Sequence, residues 1–194
     1  MSFNELNKER LYVAEQYYKA FINMIEPMII TGSPNFMVSD VEITDDMLIE
    51  HTKFSACSVI LPMLLCFYQY IELALKAFVY HKDNDFKNKR HNIDEYFDKF
   101  KELYKDEKDI IDSLNLYLSN NKLGFIDDFC KSNSINDISQ LYNALRYPDF
   151  NEDVIEYSRL KYASQDTFIL NLDQMKKDIN IIQGGYSKLF RELE

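Results

Sequence analysis

The chain has 194 residues, 46% of them hydrophobic, and a formal net charge of −10. That size and apolar content suit one globular domain with a substantial core and exclude a disordered chain. The acidic balance opposes general adhesion to nucleic acid or anionic lipid and leaves room only for a local basic patch.

Four glycines and four prolines are too few for a many-turned β protein and favour helices. The three cysteines, Cys57, Cys66 and Cys130, are odd in number and lack a C-x-x-C spacing. They read as reduced core thiols in a cytoplasmic protein. The polar N-terminal stretch lacks the apolar run of a signal peptide.

In chain order, Glu5 to about Ile30 reads as a long amphipathic helix, with Leu11, Ala14, Phe21, Ile25 and Met28 on one face. Thr31-Gly-Ser-Pro34 stops it, and residues 31–46 form a loop with a short extended piece at Phe36-Met-Val38. Thr44, followed by Asp45 and Asp46, has the form of an N-cap with acids in the first turn. A second helix is then predicted from about Met47 to about Tyr80, kinked or divided at Pro62.

No charged residue occurs from Phe54 to Ile71, eighteen positions that just reach the length of a membrane span. Ser55, Ser58, Gln69 and a mid-segment Pro62 oppose insertion, as does the continuation through Glu72 and Lys76, so no membrane partner is expected.

The run His81–His91 carries Lys82, Lys87, Lys89 and Arg90, diluted by Asp83 and Asp85. It reads either as a solvated loop or as a local basic patch. A third helix begins after Asn92, with Ile93, Tyr96, Phe97 and Phe100 apolar, and a fourth spans Asp109 to Ser119. Phe125 to Ser134 is ambiguous. A short helix covers Ile135 to Leu145 and ends at Arg146-Tyr147-Pro148, because the residue before proline disfavours helix. Residues 149–165 read mostly as loop. The last helix starts near Asp166 with the stripe Phe168, Leu172, Met175, Ile179, Ile182, Tyr186 and Leu189, weakened by Gly184-Gly185. The expected core includes Leu73, Leu75, Phe78, Leu114, Leu141, Leu172 and Ile179.

The segment Cys66–Tyr80 is apolar or aromatic except for Gln69, Glu72 and Lys76. Their spacing of three and then four puts them on one stripe of a helix. A helix apolar on nearly all other sides sits in the middle of a bundle. The stripe is either a sliver of solvent exposure carrying a Glu72–Lys76 pair, or a polar site between helices. P-loop, dinucleotide, zinc and calcium spacings are all missing, so no metal and no cofactor is expected.

The remaining pieces stand in a particular order. They are Tyr68…Glu72-Leu-Ala-Leu-Lys76-Ala77, then His91-Asn-Ile-Asp-Glu-Tyr96, then Tyr142-Asn-Ala-Leu-Arg146-Tyr147-Pro148. Together, over roughly Phe54 to Pro148, they resemble HEPN-domain proteins. The resemblance implies an all-α, up-and-down helical bundle with a long kinked central helix, spanning residues 1–194 as one domain. It also implies a homodimer, and a nucleotidyltransferase or antitoxin partner in a phage-defence or toxin–antitoxin setting.

The ribonuclease signature of that family, an Arg followed four to six residues later by His, does not occur, since Arg90 abuts His91 and no His follows Arg146, Arg159 or Arg191. The resemblance thus implies a nucleotide- or RNA-binding regulatory module. The alternative is a metal-independent ribonuclease using a non-standard His91/Arg146 pair.

The residue chemistry allows both. His91 titrates near neutrality and can act as acid or base, or it can simply bond a backbone group or Glu72. Arg146 can grip phosphate bidentately, or pin a loop to a helix end. Lys76 adds a point charge, and Tyr147 either stacks on a base or packs in the core. Glu72, Lys76, His91, Arg146 and Tyr147 are the candidate ligand-binding residues, and Glu72, Lys76, His91 and Arg146 are expected to converge.

Overall fold

The structure, a computed structural model, describes residues 4–86, 92–118, 124–149, 154–161 and 165–193. His91, Lys87, Lys89 and Arg90 lie outside the described residues, so the basic patch and the His91 expectations are left where the sequence put them. Among the described residues the regular structure is helical, without a strand, and the extended piece at Phe36–Val38 pairs with nothing.

Helix α1 (Glu5–Thr31) starts at Asn4, whose side chain accepts from the Asn7 amide at 2.9 Å. It ends at Gly32 in the left-handed region (φ 70°), with Gly32 N–H donating to Ile29 O and Ser33 N–H to Met28 O. Helix α2 (Asp45–Thr52) is capped by Thr44 as predicted, yet buries none of its residues.

The break before the central helix falls at residues 53–55, not at Pro62. Helix α3 (Ala56–Lys82) continues through Pro62 without being divided there, and the long central helix is bent, as expected. The cause of the break is a long-range cap. The Ser55 side chain caps no backbone N–H of α3; instead the buried Ser33 hydroxyl accepts from the Ala56 amide at 2.7 Å. The turn that stops α1 therefore starts α3.

Helices α4 (Ile93–Leu103) and α5 (Lys108–Leu118) follow as predicted, α4 behind its Asn92 cap. The ambiguous stretch is helix α6 (Gly124–Ser132), and α7 (Ile138–Arg146) starts at Asp137, whose carboxylate accepts from Gln140 N–H at 2.7 Å. A single turn, α8 (Ser158–Lys161), lies within the expected loop. Helix α9 (Gln165–Leu193) is unbroken at the glycine pair. Gly185 is there for close packing: a Cβ on it would sit 2.6 Å from Ile110 Cδ1 of α5.

The frame is three long helices. Helix α1 runs antiparallel to α3, because Ser33 meets Ala56 at one end and Arg10 lies over the Tyr80 ring at the other. It is antiparallel to α9 as well, since Glu26 pairs with Lys176 and Tyr18 with Asn180. Helices α4, α7 and α8 pack on the other sides of α3, and α5 and α6 on α9. Burial of α3 by these neighbours accounts for its membrane-like length and hydropathy. The described residues contain one such stretch, and half of its most apolar window is inside the bundle.

Of the expected core, Leu75, Phe78, Leu114, Leu141, Leu172 and Ile179 are buried, whereas Leu73 is only half-buried. Leu73 stands next to the Gln69–Glu72–Lys76 stripe on the helical wheel, where α3 is less covered. The cysteines also depart from expectation: Cys57 is exposed, Cys66 and Cys130 are half-buried, and none forms a disulfide among the described residues.

Candidate functional site

Helix α3 carries Glu72 into the bundle with 2% of its surface exposed. Lys76, one turn on, pairs with it, and the Lys76 side chain is itself largely covered. A buried charge needs a partner, and the i,i+4 spacing supplies one at no cost in loop ordering. The stripe is therefore an interhelical polar site and not a sliver of solvent exposure.

Tyrosines close over this pair. The Lys76 ammonium lies 5.2 Å from the centroid of the Tyr96 ring on α4, and the Tyr96 hydroxyl shares a 2.9 Å hydrogen bond with that of Tyr80. Burial pushes the Tyr96 phenol up, helped by Tyr80 and by the Glu72 carboxylate, with Arg10 pulling the other way. Arg10 reaches this end from α1, 4.8 Å from the Tyr80 ring, and its guanidinium donates to the buried Asn7 side chain.

On the α7 side the Tyr142 hydroxyl donates to Gln69 and sits within hydrogen-bonding reach of Glu72. Burial raises the Tyr142 phenol, the Glu72 charge raises it further, and Arg146 lowers it. The phenol thus feels a carboxylate on one side and a guanidinium on the other.

Arg146 ends α7. Tyr147 leaves the helix with extended backbone (φ −129°, ψ 113°), as the following Pro148 requires. The guanidinium lies 5.2 Å from the Tyr142 ring and 5.3 Å from the Tyr147 ring. Arg146 is exposed, and Tyr147 is 48% exposed, so it does not pack in the core. A guanidinium and a phenol ring are thus presented to solvent side by side, over a buried Glu72–Lys76–Tyr142 base.

Glu72 and Lys76 meet directly and Arg146 joins them through Tyr142, whereas His91 lies outside the described residues. Lys82, counted with the basic run, is structural: it donates to Leu103 O at 2.9 Å and sits 3.9 Å from the Tyr104 ring centroid. Tyr80, Tyr96, Tyr142 and Arg10 are members of the site to which the sequence gave no role. Tyr96 and Tyr142 fall at fixed places in the sequence pattern, which is the signal that could have found them. Among the described residues no group of His, Cys, Asp or Glu is arranged to hold a metal ion.

A bundle of long helices around a central helix with a Glu–Lys stripe, followed by a helix ending in Arg-Tyr-Pro, defines a class as well as a shape. The chain belongs to the HEPN-domain family: the HEPN domain matches residues 63–167, more than half of its length, taking in Glu72, Lys76, Arg146 and Tyr147. At family level this is a nucleotide- or RNA-related domain. Comparisons with curated proteins and with solved structures gave no match.

Proposed function

We propose that this chain is a nucleotide- or RNA-binding regulatory module that uses Arg146 and Tyr147 as its ligand-facing pair. The observation that carries the reading is the exposure of the Arg146 guanidinium beside the half-exposed Tyr147 ring. Arg grips phosphate bidentately, and an aromatic face stacks a base, so together they suit one nucleotide unit.

Glu72 and Lys76 act beneath them. Buried and paired, they position Tyr142, and Tyr142 supports Arg146. Lys76 adds positive potential close to the phosphate position. The net charge of −10 restricts binding to a short local contact. The module works as a single-domain cytoplasmic homodimer in a phage-defence or toxin–antitoxin system, with a nucleotidyltransferase or an antitoxin as its protein partner.

The test is binding of labelled single-stranded RNA and of mononucleotides by the purified chain, beside an RNA cleavage assay with and without EDTA. Binding without cleavage supports the module. Cleavage that survives EDTA and is lost in His91→Ala supports a ribonuclease in its place. Neither binding nor cleavage contradicts both.

A further inference from the structure

Between the end of α1 and the start of α3 the chain leaves the bundle as an arm. Its base is pinned: Ser33 and Ser55 are buried, and the Ser33 hydroxyl holds the Ala56 amide at 2.7 Å. From Asp40 to His51 each residue is exposed. Helix α2 lies in this run, and among the described residues no other helix packs substantially on it.

The arm is apolar. Phe36, Val38, Val41, Ile43, Leu48 and Ile49 are between 38% and 85% exposed. A single exposed apolar residue is ordinary, but six in one short arm mark an interaction surface. The helix makes the same point. Eight residues make only a marginal helix without packing. Yet Thr44 accepts from the Met47 amide at 3.3 Å and Asp45 and Asp46 occupy the first turn, so the arm is built to hold α2. Among the described residues that helix has no core to join.

The arm is also acidic. Asp40, Glu42, Asp45, Asp46 and Glu50 stand among the apolar side chains, and Lys53 is the one Lys or Arg from residue 34 to residue 54. Lys53 is paired with Glu50. Asp45 and Asp46 are accounted for by the helix N-terminus, whereas Asp40 and Glu42 precede the helix and cap nothing in it.

Charge decides what covers this surface. A second copy does not suit it, since a two-fold interface sets the arm against its own image and carboxylates against carboxylates. Nucleic acid and anionic lipid are opposed by the same charges. A protein surface with an apolar ridge bordered by lysines or arginines suits both features.

We propose that the arm, residues 36–50, is the docking surface for a partner protein that offers a basic amphipathic helix. The apolar face of that helix covers Val41, Ile43, Leu48 and Ile49, and its basic edges meet Asp40, Glu42 and the first turn of α2. Of the α3 residues in the Arg146 site, Gln69 is nearest to Ala56, about 20 Å further along the helix at about 1.5 Å per residue. The inference stands apart from nucleotide binding at Arg146.

The experiment is fluorescence anisotropy of a labelled Leu/Lys amphipathic helical peptide, titrated with the full chain at fixed salt. A Leu/Glu peptide of the same pattern tests the charge, and a Ser/Lys peptide tests the apolar face. The Leu/Lys peptide is expected to bind, and both controls at least about tenfold more weakly. Leu48→Ser/Ile49→Ser is expected to weaken its binding about tenfold, and Asp40→Asn/Glu42→Gln several-fold. Both variants keep a Tm near wild type, since all four side chains are exposed. Glu102→Gln/Glu192→Gln removes as much charge from α4 and α9 and is expected to leave peptide binding as in wild type. The arm variants are expected to bind labelled RNA as wild type does, which keeps this reading apart from the nucleotide site. A Leu/Lys peptide that fails to bind overturns the proposal, as does one that the arm variants bind as tightly as wild type. So does a Leu48→Ser/Ile49→Ser chain that is monomeric in light scattering where wild type is dimeric, which would give the arm to a second copy.

Discussion

The Glu72 carboxylate lies against the hydroxyl of Tyr142, a residue of α7 that reaches the central helix from seventy positions later in the chain. This contact ties the buried Glu72–Lys76 pair to the helix that ends in Arg146, and it accounts for what each residue is expected to do when changed.

Removing the carboxylate leaves Lys76 buried without its counter-charge. Glu72→Ala is expected to destabilise the fold by about 3–5 kcal/mol in urea denaturation. Tyr142→Phe removes one hydroxyl and should cost about 1–3 kcal/mol. Because the two groups touch, a double-mutant cycle should give a coupling of at least about 0.5 kcal/mol, and strict additivity would mean the contact contributes nothing.

The glycine pair of α9 should split. Gly184 is exposed, with nothing near its missing Cβ, so Gly184→Ala should stabilise by about 0.5–1 kcal/mol. Gly185→Ala places a methyl against Ile110, and overpacking of about 1–3 kcal/mol outweighs the gain in helix propensity. Paired thermal melts check this; equal shifts for the two variants would mean that α5 and α9 lie farther apart here than the contact with Ile110 requires.

A second buried carboxylate joins the same two helices. Asp178 of α9 accepts from the Tyr117 hydroxyl of α5 at 2.6 Å and from Gln174 Nε2 at 2.8 Å. Tyr117→Phe should cost about 1–3 kcal/mol in chemical denaturation. A change below about 0.5 kcal/mol would rank this bond with surface contacts.

Asp94 gives a pH dependence. Partial burial raises its carboxyl from the ordinary 3.8, Asp137 and Asp98 add to the rise, and hydrogen bonds from Ser139 oppose it. A raised folded-state value means the protonated form is favoured on folding. The contribution is fully present below the ordinary value and is lost as pH rises through the folded one. Asp94→Asn, which keeps an acceptor for Ser139, should therefore flatten the fall in stability across that window. Melts from acid to neutral pH should show the variant gaining on wild type as pH rises; a constant difference would contradict this.

Local pattern carried most of the helices, and long-range contact decided what it could not. The Gln69–Glu72–Lys76 stripe was legible because three polar residues on an apolar helix share one face. Thr44, Asn92 and Pro148 act within a few residues of themselves, and each does what its type dictates. Pro62 does not divide the long bent helix; the break falls before Ala56 and is set by Ser33, twenty-three residues earlier, which no local signal could show. Leu73 was counted on the apolar face of its helix, although its wheel position adjoins the polar stripe. Arg10 and Tyr80 could not be read as site members, since what places them there is the antiparallel packing of α1 on α3. Asp178 left a faint mark, a lone acid one turn from Met175 on the apolar stripe of α9.

The central claim is that the exposed Arg146–Tyr147 pair binds nucleotide while the buried pair beneath it holds the fold. Fluorescence anisotropy with a short labelled single-stranded RNA at fixed salt tests it most directly. Arg146→Ala is expected to weaken binding about tenfold, the worth of a charge-assisted phosphate contact, and to leave Tm within a degree or two of wild type. An Arg146→Ala chain that binds as tightly as wild type, or one that loses binding only because it unfolds, would contradict the account.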